Sequence, residues 1–382
     1  MKFQLLFGSL LSQTKVRHWW LGILLWLVLV APAQASVILR VAIERGVNQV
    51  KVGSNTTAIV KDSSGRTLGN LPGMSAFYAQ AVPGGVALDK WQSGLFWIEP
   101  TGKEGLVYIG DRWFRGRTLV IPSEKGLDVV NWVDLEEYLY SVIGGEMSSS
   151  WPQEALKAQA IAARTYALYK REQQRRNPVY DLGDSPDRWQ IYKGVSSESP
   201  ATYTAVDTTA GQVLTYNNNL ILSVFHACSG GHTENVEDVW GNPLPYLRAV
   251  QDYDQNIKEC NWERSFTPAE ISARISGVGN VKDVVPEAFS PFRSVKALRI
   301  VGDKGSKVIK GEEVRTALKL RSTRFNVTRR EDGSFILQGL GFGHGLGMSQ
   351  WGAYNLALRG ANHLQILGHY YRGVALTPIK AK

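Results

Sequence analysis

"YSVIGGEMSSSWPQEALKAQAIAARTYALYKR", Tyr140 to Arg171, decides how this chain is read. Ala155, Ala158, Ile161, Ala162 and Ala167, with Leu156 and Tyr166, are apolar around most of a helix's girth. Such a helix belongs inside a fold rather than on its surface. Pro152 suits its first turn, with Ser150 or Trp151 as the cap. Lys157, Gln159, Arg164 and Thr165 lie within the same run and need partners once removed from water. Just before it, Glu146 follows a Gly-Gly pair, the only acid between two helices.

Working upstream, "GLDVVNWVDLEEYLYSVI" switches to a helical period. Asp134 and Glu137 are spaced as a capping box, and Leu135, Tyr138, Leu139 and Val142 share one face. Gly144 and Gly145 are expected to stop that helix. Earlier still, residues 36–125 alternate short β-type runs, "VILRVAI", "TTAIVK", "LFWIEP", "GLVYIG" and "RTLVIP", with turn clusters. Downstream, residues 201–234 read as two strands around a turn at Tyr216–Asn219, followed by a Gly-rich loop. "FTPAEISARI", opened by a Thr267/Glu270 capping box, and "GEEVRTALKL" read as helices, with "SVKALRIVG" a strand between them. The tail gives a strand, a loop with Gly at 339, 341, 343, 345 and 347, and two helices. The class is α+β: a mixed sheet core with a buried Ala-rich helix, preceded by a β-rich N-terminal segment. The expected divisions are 1–35, 36–125 and 126–375.

Residues 1–35 carry Lys2, Lys15 and Arg17, no acid, and an apolar run ending in Ala33-Gln34-Ala35. This is the pattern of a cleaved export signal; the alternative is an uncleaved membrane anchor. Either way the body is expected outside the cytoplasm, in the periplasm or cell wall. Removing that segment takes three of the 43 basic residues and none of the 34 acids, so the net charge falls from +9 to +6. A scattered positive balance suits an anionic wall or lipid surface, not nucleic acid.

The two cysteines, Cys228 and Cys260, point to a disulfide in an oxidising compartment. The loop closed would stabilise by roughly 3–4 kcal/mol. The rival reading is zinc held by His226, Cys228, His232 and Cys260, although H-x-C-x-x-x-H is not a standard zinc spacing.

For chemistry, Glu146 stands near Met147 and Trp151, whose apolar surroundings would raise its pKa and suit a general acid. The start of the Pro152 helix would act in the opposite sense, and a cap or ion pair is the alternative role. His344 lies in the alternating-glycine loop; Ser349 and Gln350 could meet substrate hydroxyls or cap the helix near Trp351. His226 and His232 flank a Gly-Gly turn, and Trp240 and Tyr246 offer aromatic faces or core packing. No G-x-S-x-G, serine triad or nucleotide-binding loop is present.

"VDLEEYLYSVIGGEMSSSWPQEALKAQAIAARTYAL", "GQVLTYNNNLILSVFHACSGGHTENVEDVWGNPLPYLRAVQD", and "GFGHGLGMSQWGAYNLALRG" with "ILGHYYRGV" strongly resemble the SpoIID/LytB family, the sporulation stage II protein D and amidase-enhancer group. The resemblance spans about Gly126 to Val374. It implies a peptidoglycan lytic transglycosylase that cuts the bond from N-acetylmuramic acid to N-acetylglucosamine and leaves a 1,6-anhydro end. Glu146 matches the family's proposed catalytic acid. Gln159, Arg164, His226, His344 and Gln350 are the candidates for holding sugars and acid. No cofactor is required by that chemistry, and zinc near Cys228 is the alternative. The partner is peptidoglycan glycan; the second functional reading is a wall-binding protein that assists a cell-wall amidase.

Overall fold

The computed structural model describes residues 36–186 and 188–379, so residues 1–35, read above as an export signal, lie outside the described residues. No helix among the described residues is long and apolar enough to cross a membrane. Val37–Ile379 form one compact unit.

Alternation builds the first layer. Leu39, Val41, Val129, Val133, Phe96 and Ile98 are fully or almost fully buried on strands that alternate over part of their length, while Ala42 and Ile43, and Val130 and Asn131, are buried in unbroken runs with them. They belong to a seven-stranded sheet. Its order runs Leu182–Gly183, Ile38–Val47, Gly126–Asp134, Arg117–Ser123, Phe96–Pro100, Ala58–Lys61, Thr67–Leu71. All pairs are antiparallel except the first, so the sheet is mixed. A six-stranded sheet from the same region shares its hydrophobic core. The five β-type runs of the sequence are all strands here.

The boundary expected near 125 falls in the turn of a hairpin, Arg117–Ser123 against Gly126–Asp134. Residues on both sides of it therefore share one core, which also takes in the helices. Asp134 ends that strand and caps the Leu135–Glu146 helix, its carboxylate accepting the Glu136 N–H at 2.8 Å. The helix does not stop at Gly144: both glycines sit in its last turn and Glu146 is its final residue.

The Gln153–Gln173 helix is the hub, with thirteen buried residues between Ala155 and Leu168. Pro152 stands at its N-cap, and neither Ser150 nor Trp151 caps it through a side chain. It packs on the Leu135–Glu146, Pro200–Asp207, Gln350–Leu358 and His363–Tyr370 helices. Small alanines permit that crowding. The Pro200–Asp207 helix is unanticipated: Ser199 and Thr202 form a capping box, with Pro200 in the first turn. The expected strands follow as Gln212–Tyr216 and Asn219–Leu220, and Ala375–Pro378 adds a third.

A second hydrophobic core runs from Trp262 to Leu337. It comprises two three-stranded sheets and the Pro268–Arg274 and Gly311–Leu318 helices. The chain enters this module at Cys260 and leaves at Gly341, whose N–H donates to the Cys260 carbonyl at 2.7 Å. Cys228 and Phe342 pair through both backbone bonds, and the Cys228–Cys260 disulfide is formed, Cα to Cα 6.0 Å. The stem of the module is thus stapled beside His226.

Candidate active site

The glycine pair explains where Glu146 points. A Cβ on Gly144 would lie 1.8 Å from the Ser197 carbonyl, and one on Gly145 2.9 Å from the Ile191 carbonyl. Only glycine lets the 191–197 segment cross the helix this closely. That segment is also held by Tyr138, whose hydroxyl donates to Gln190 at 3.2 Å, and by Tyr166, whose hydroxyl donates to the Arg188 carbonyl at 3.0 Å. Ile191 therefore presents its N–H to Glu146 Oε1 at 2.8 Å.

The other carboxylate oxygen meets a residue from the far end of the chain. Gln350 Nε2 donates to Glu146 Oε2 at 3.3 Å, across 204 positions of sequence. Glu146 is half-buried, and burial is the main force on its carboxyl, pushing the pKa up to about 7. The Ile191 and Gln350 hydrogen bonds, and the Lys193 ammonium, pull the other way and lose. Its position at a helix C-terminus also disfavours negative charge. No ion pair ties Glu146 down among the described contacts. A carboxyl poised near neutrality can donate a proton and later accept one.

Two imidazoles stand on the segments that lead to Gln350. Phe225–His226 pairs in parallel with Met348–Ser349, so His226 lies beside the residue preceding Gln350. His226 Nδ1 donates to the Leu346 carbonyl at 3.0 Å, and the Leu346 N–H donates to His344 Nδ1 at the same distance. The backbone of one residue, Leu346, thus orients both rings, whose centroids are 5.5 Å apart. Gly343 allows the approach, since a Cβ there would be 2.5 Å from His226 Cβ and its φ is +117°. Burial brings the His226 pKa down to about 4 and holds His344 well below the ordinary histidine range, so both are neutral at neutral pH. His226 Nε2 is then a buried acceptor without a partner. Trp240, 45% exposed, packs its ring 5.2 Å from His344. Tyr246 is core, its hydroxyl accepting the Leu222 N–H.

The remaining expectations separate. Arg164 is fully buried and bound to Glu136 at 2.6 and 2.8 Å, with further bonds to the Val206 and Gln212 carbonyls. Its guanidinium is spent inside the fold, which removes it from contact with a sugar. Gln159 is also fully buried, with neither amide atom partnered. Ser349 caps the Gln350–Leu358 helix. The zinc set does not assemble: Cys228 and Cys260 are joined to each other, and His232 stacks on Phe292 with its Nδ1 against the Thr233 carbonyl. The metal-type ligands that do cluster are Cys228, Cys260 and Asp254, and both sulfurs are already oxidised.

Asp252 and Asp254 were not legible as site residues. Asp254 accepts from the backbone N–H groups of Ser229 at 2.5 Å and Gly231 at 2.6 Å, and from the Ser349 hydroxyl at 3.0 Å. It ties the Gly-Gly turn to the helix that carries Gln350. Asp252, raised to about 6 by burial and then by Asp254, binds the Ser229 and Tyr370 hydroxyls. A carboxylate feeding on a backbone turn has no periodic signature in sequence.

Comparison with known proteins agrees with this layout. A family model described as stage II sporulation protein, SpoIID, matches residues 123–216, and a domain of unknown function matches 260–347, the region of the second core. The stage II sporulation protein D of Bacillus subtilis is 34% identical over 267 residues, 65% of this chain and 76% of that protein. An uncharacterized protein of Brachyspira hyodysenteriae is 34% identical over 285 residues, 71% of this chain and 76% of its own length. The amidase enhancer of B. subtilis is 31% identical over 297 residues, which are 63% of this chain but 40% of that relative.

Proposed function

This chain belongs to the SpoIID family of stage II sporulation proteins, and from that premise we propose that it is an exported lytic transglycosylase acting on peptidoglycan glycan strands. The observation that carries the reading is a single carboxyl, Glu146, held between the Ile191 N–H and the Gln350 amide with its pKa near 7.

One acid suffices for this chemistry and not for ordinary glycoside hydrolysis, which uses two carboxylates. Glu146 protonates the departing glycosidic oxygen as the bond from the muramoyl C1 breaks. The muramoyl 6-hydroxyl then attacks C1, and the Glu146 carboxylate takes that hydroxyl's proton. One C–O bond breaks, one forms, the proton on Glu146 is restored, and no water is consumed. The neutral His226 keeps its Nε2 buried and out of a sugar's reach; of the rings around it, His344 stands 5.5 Å away and the 45% exposed Trp240 offers the accessible face. The disulfide suits work outside the cytoplasm.

Purified glycan strands incubated with the parent and with Glu146→Gln should give anhydro ends, seen by mass spectrometry, from the parent alone. Equal release from both, or none from either, defeats the proposal. The amidase-enhancer relative favours a second reading, a wall-binding protein that assists an amidase without cutting glycan; it requires wall binding by both forms and anhydro ends from neither.

A further inference from the structure

Five residues beyond Glu146 stands Trp151, reached through the exposed hydroxyl run Ser148–Ser150. Next to Gln350 stands Trp351, and one helical turn on stands Tyr354. The three rings meet: Trp151 to Trp351 4.6 Å, Trp151 to Tyr354 5.0 Å, Trp351 to Tyr354 5.3 Å between centroids. Their planes are inclined by 50°, 54° and 76°, so the rings meet tilted or edge to face and none is stacked parallel on another. All three are partly buried, with some ring surface left to solvent; Trp151 packs on the core, and Trp351 and Tyr354 are not among the residues of that core.

Stability does not account for large aromatic rings left partly in water, because burying such faces is where their free energy lies. The polar side chains on the adjoining turn are engaged with one another, Lys157 to Glu154 at 2.8 Å and His363 to Glu154 at 2.7 Å. A ligand there would meet ring faces and serine hydroxyls rather than a free charge. A pyranose ring has that complement, an apolar C–H face with a rim of hydroxyls. The Trp351 N–H, bonded to the Ala227 carbonyl at 3.0 Å, fixes the helix start that also aims Gln350 at Glu146.

We infer that Trp151, Trp351 and Tyr354 form a saccharide-stacking subsite continuous with the Glu146 centre, gripping a sugar unit of the strand beside the one that is cut. This rests on the proposed glycan chemistry for its substrate class, but stacking needs no bond cleavage.

The test uses the full chain in a Glu146→Gln background, so binding is read without turnover, with the β-1,4-linked N-acetylglucosamine hexamer as probe in titration calorimetry. Trp351→Ala and Tyr354→Ala should each weaken hexamer binding at least about fivefold, as loss of a central aromatic contact does. Trp351→Phe should retain most of it, and thermal unfolding verifies that each variant is folded. Hexamer binding unchanged in folded Trp351→Ala and Tyr354→Ala, or absent from the background protein, overturns the subsite. Loss of self-association or of amidase binding with saccharide binding intact overturns it in favour of a protein interface. If anhydro ends never form from the Glu146 protein while aromatic-dependent hexamer binding persists, the cleavage chemistry fails and the subsite stands.

Discussion

Replacing Glu146 with Gln should stabilise the protein, and only away from acid pH. In the fold the carboxyl titrates at about 7 rather than its ordinary 4.5. Between those values the unfolded chain has released the proton while the native protein still holds it. The parent's stability therefore falls as pH rises from about 4.5 and levels off above about 7. Moving the pKa this far corresponds to roughly 3 kcal/mol; residual solvent contact at the half-buried side chain reduces the expectation to about 2–3 kcal/mol. Glutamine is isosteric, stays neutral, and keeps an oxygen for the Ile191 N–H. Chemical denaturation of both proteins across a pH series should find them nearly equal at about pH 4 and the variant ahead by about 2–3 kcal/mol at about pH 8. Asp252 and His226 titrate in both proteins and cancel in the difference. A difference flat with pH, or a parent more stable at about pH 8, refutes the claim that burial holds Glu146 protonated.

Gly144→Ala should push the 191–197 segment outward, costing about 1–3 kcal/mol and lowering kcat as the Ile191 N–H leaves Glu146; melting curves and turnover measured together check this. Removing the disulfide by Cys228→Ser with Cys260→Ser should cost about 3–4 kcal/mol for a sequence separation of 32, and urea unfolding of the parent with and without reductant should reproduce the loss. Arg164→Met should destabilise by about 3 kcal/mol by stripping Glu136 of its partner, while the KM for glycan stays put in the folded fraction; a raised KM would return Arg164 to the binding machinery.

Much of this was legible from residue patterns. Five of the strands up to Ser123 announce themselves as β-type runs, and the Ala-rich helix by apolar residues around most of its girth; burial of Leu39, Val41 and most of Ala155–Leu168 agrees. Glu146 and Gln350, placed together by the resemblance, do meet. What escaped has physical reasons. Pro200–Asp207 carries Thr202, Tyr203, Thr204 and Val206 and reads as strand, yet its capping box and tertiary packing override that preference. Gly144 and Gly145 look like helix stops, but their role is clearance for a segment 50 residues away in sequence, which no local pattern encodes. Arg164 reads as a ligand-binding cation because its partner, Glu136, lies 28 residues upstream on another helix. Asp254 acts on backbone N–H groups, whose positions depend on the finished turn.

The most direct measurement is the source of oxygen at the new sugar end. Glycan strands cut in water labelled with heavy oxygen should yield muramoyl ends carrying none of the label, because the sugar's own 6-hydroxyl closes the ring and Glu146 only moves protons. Label at the reducing ends would mean that water attacks, that a second activating group exists, and that the one-carboxyl account is wrong.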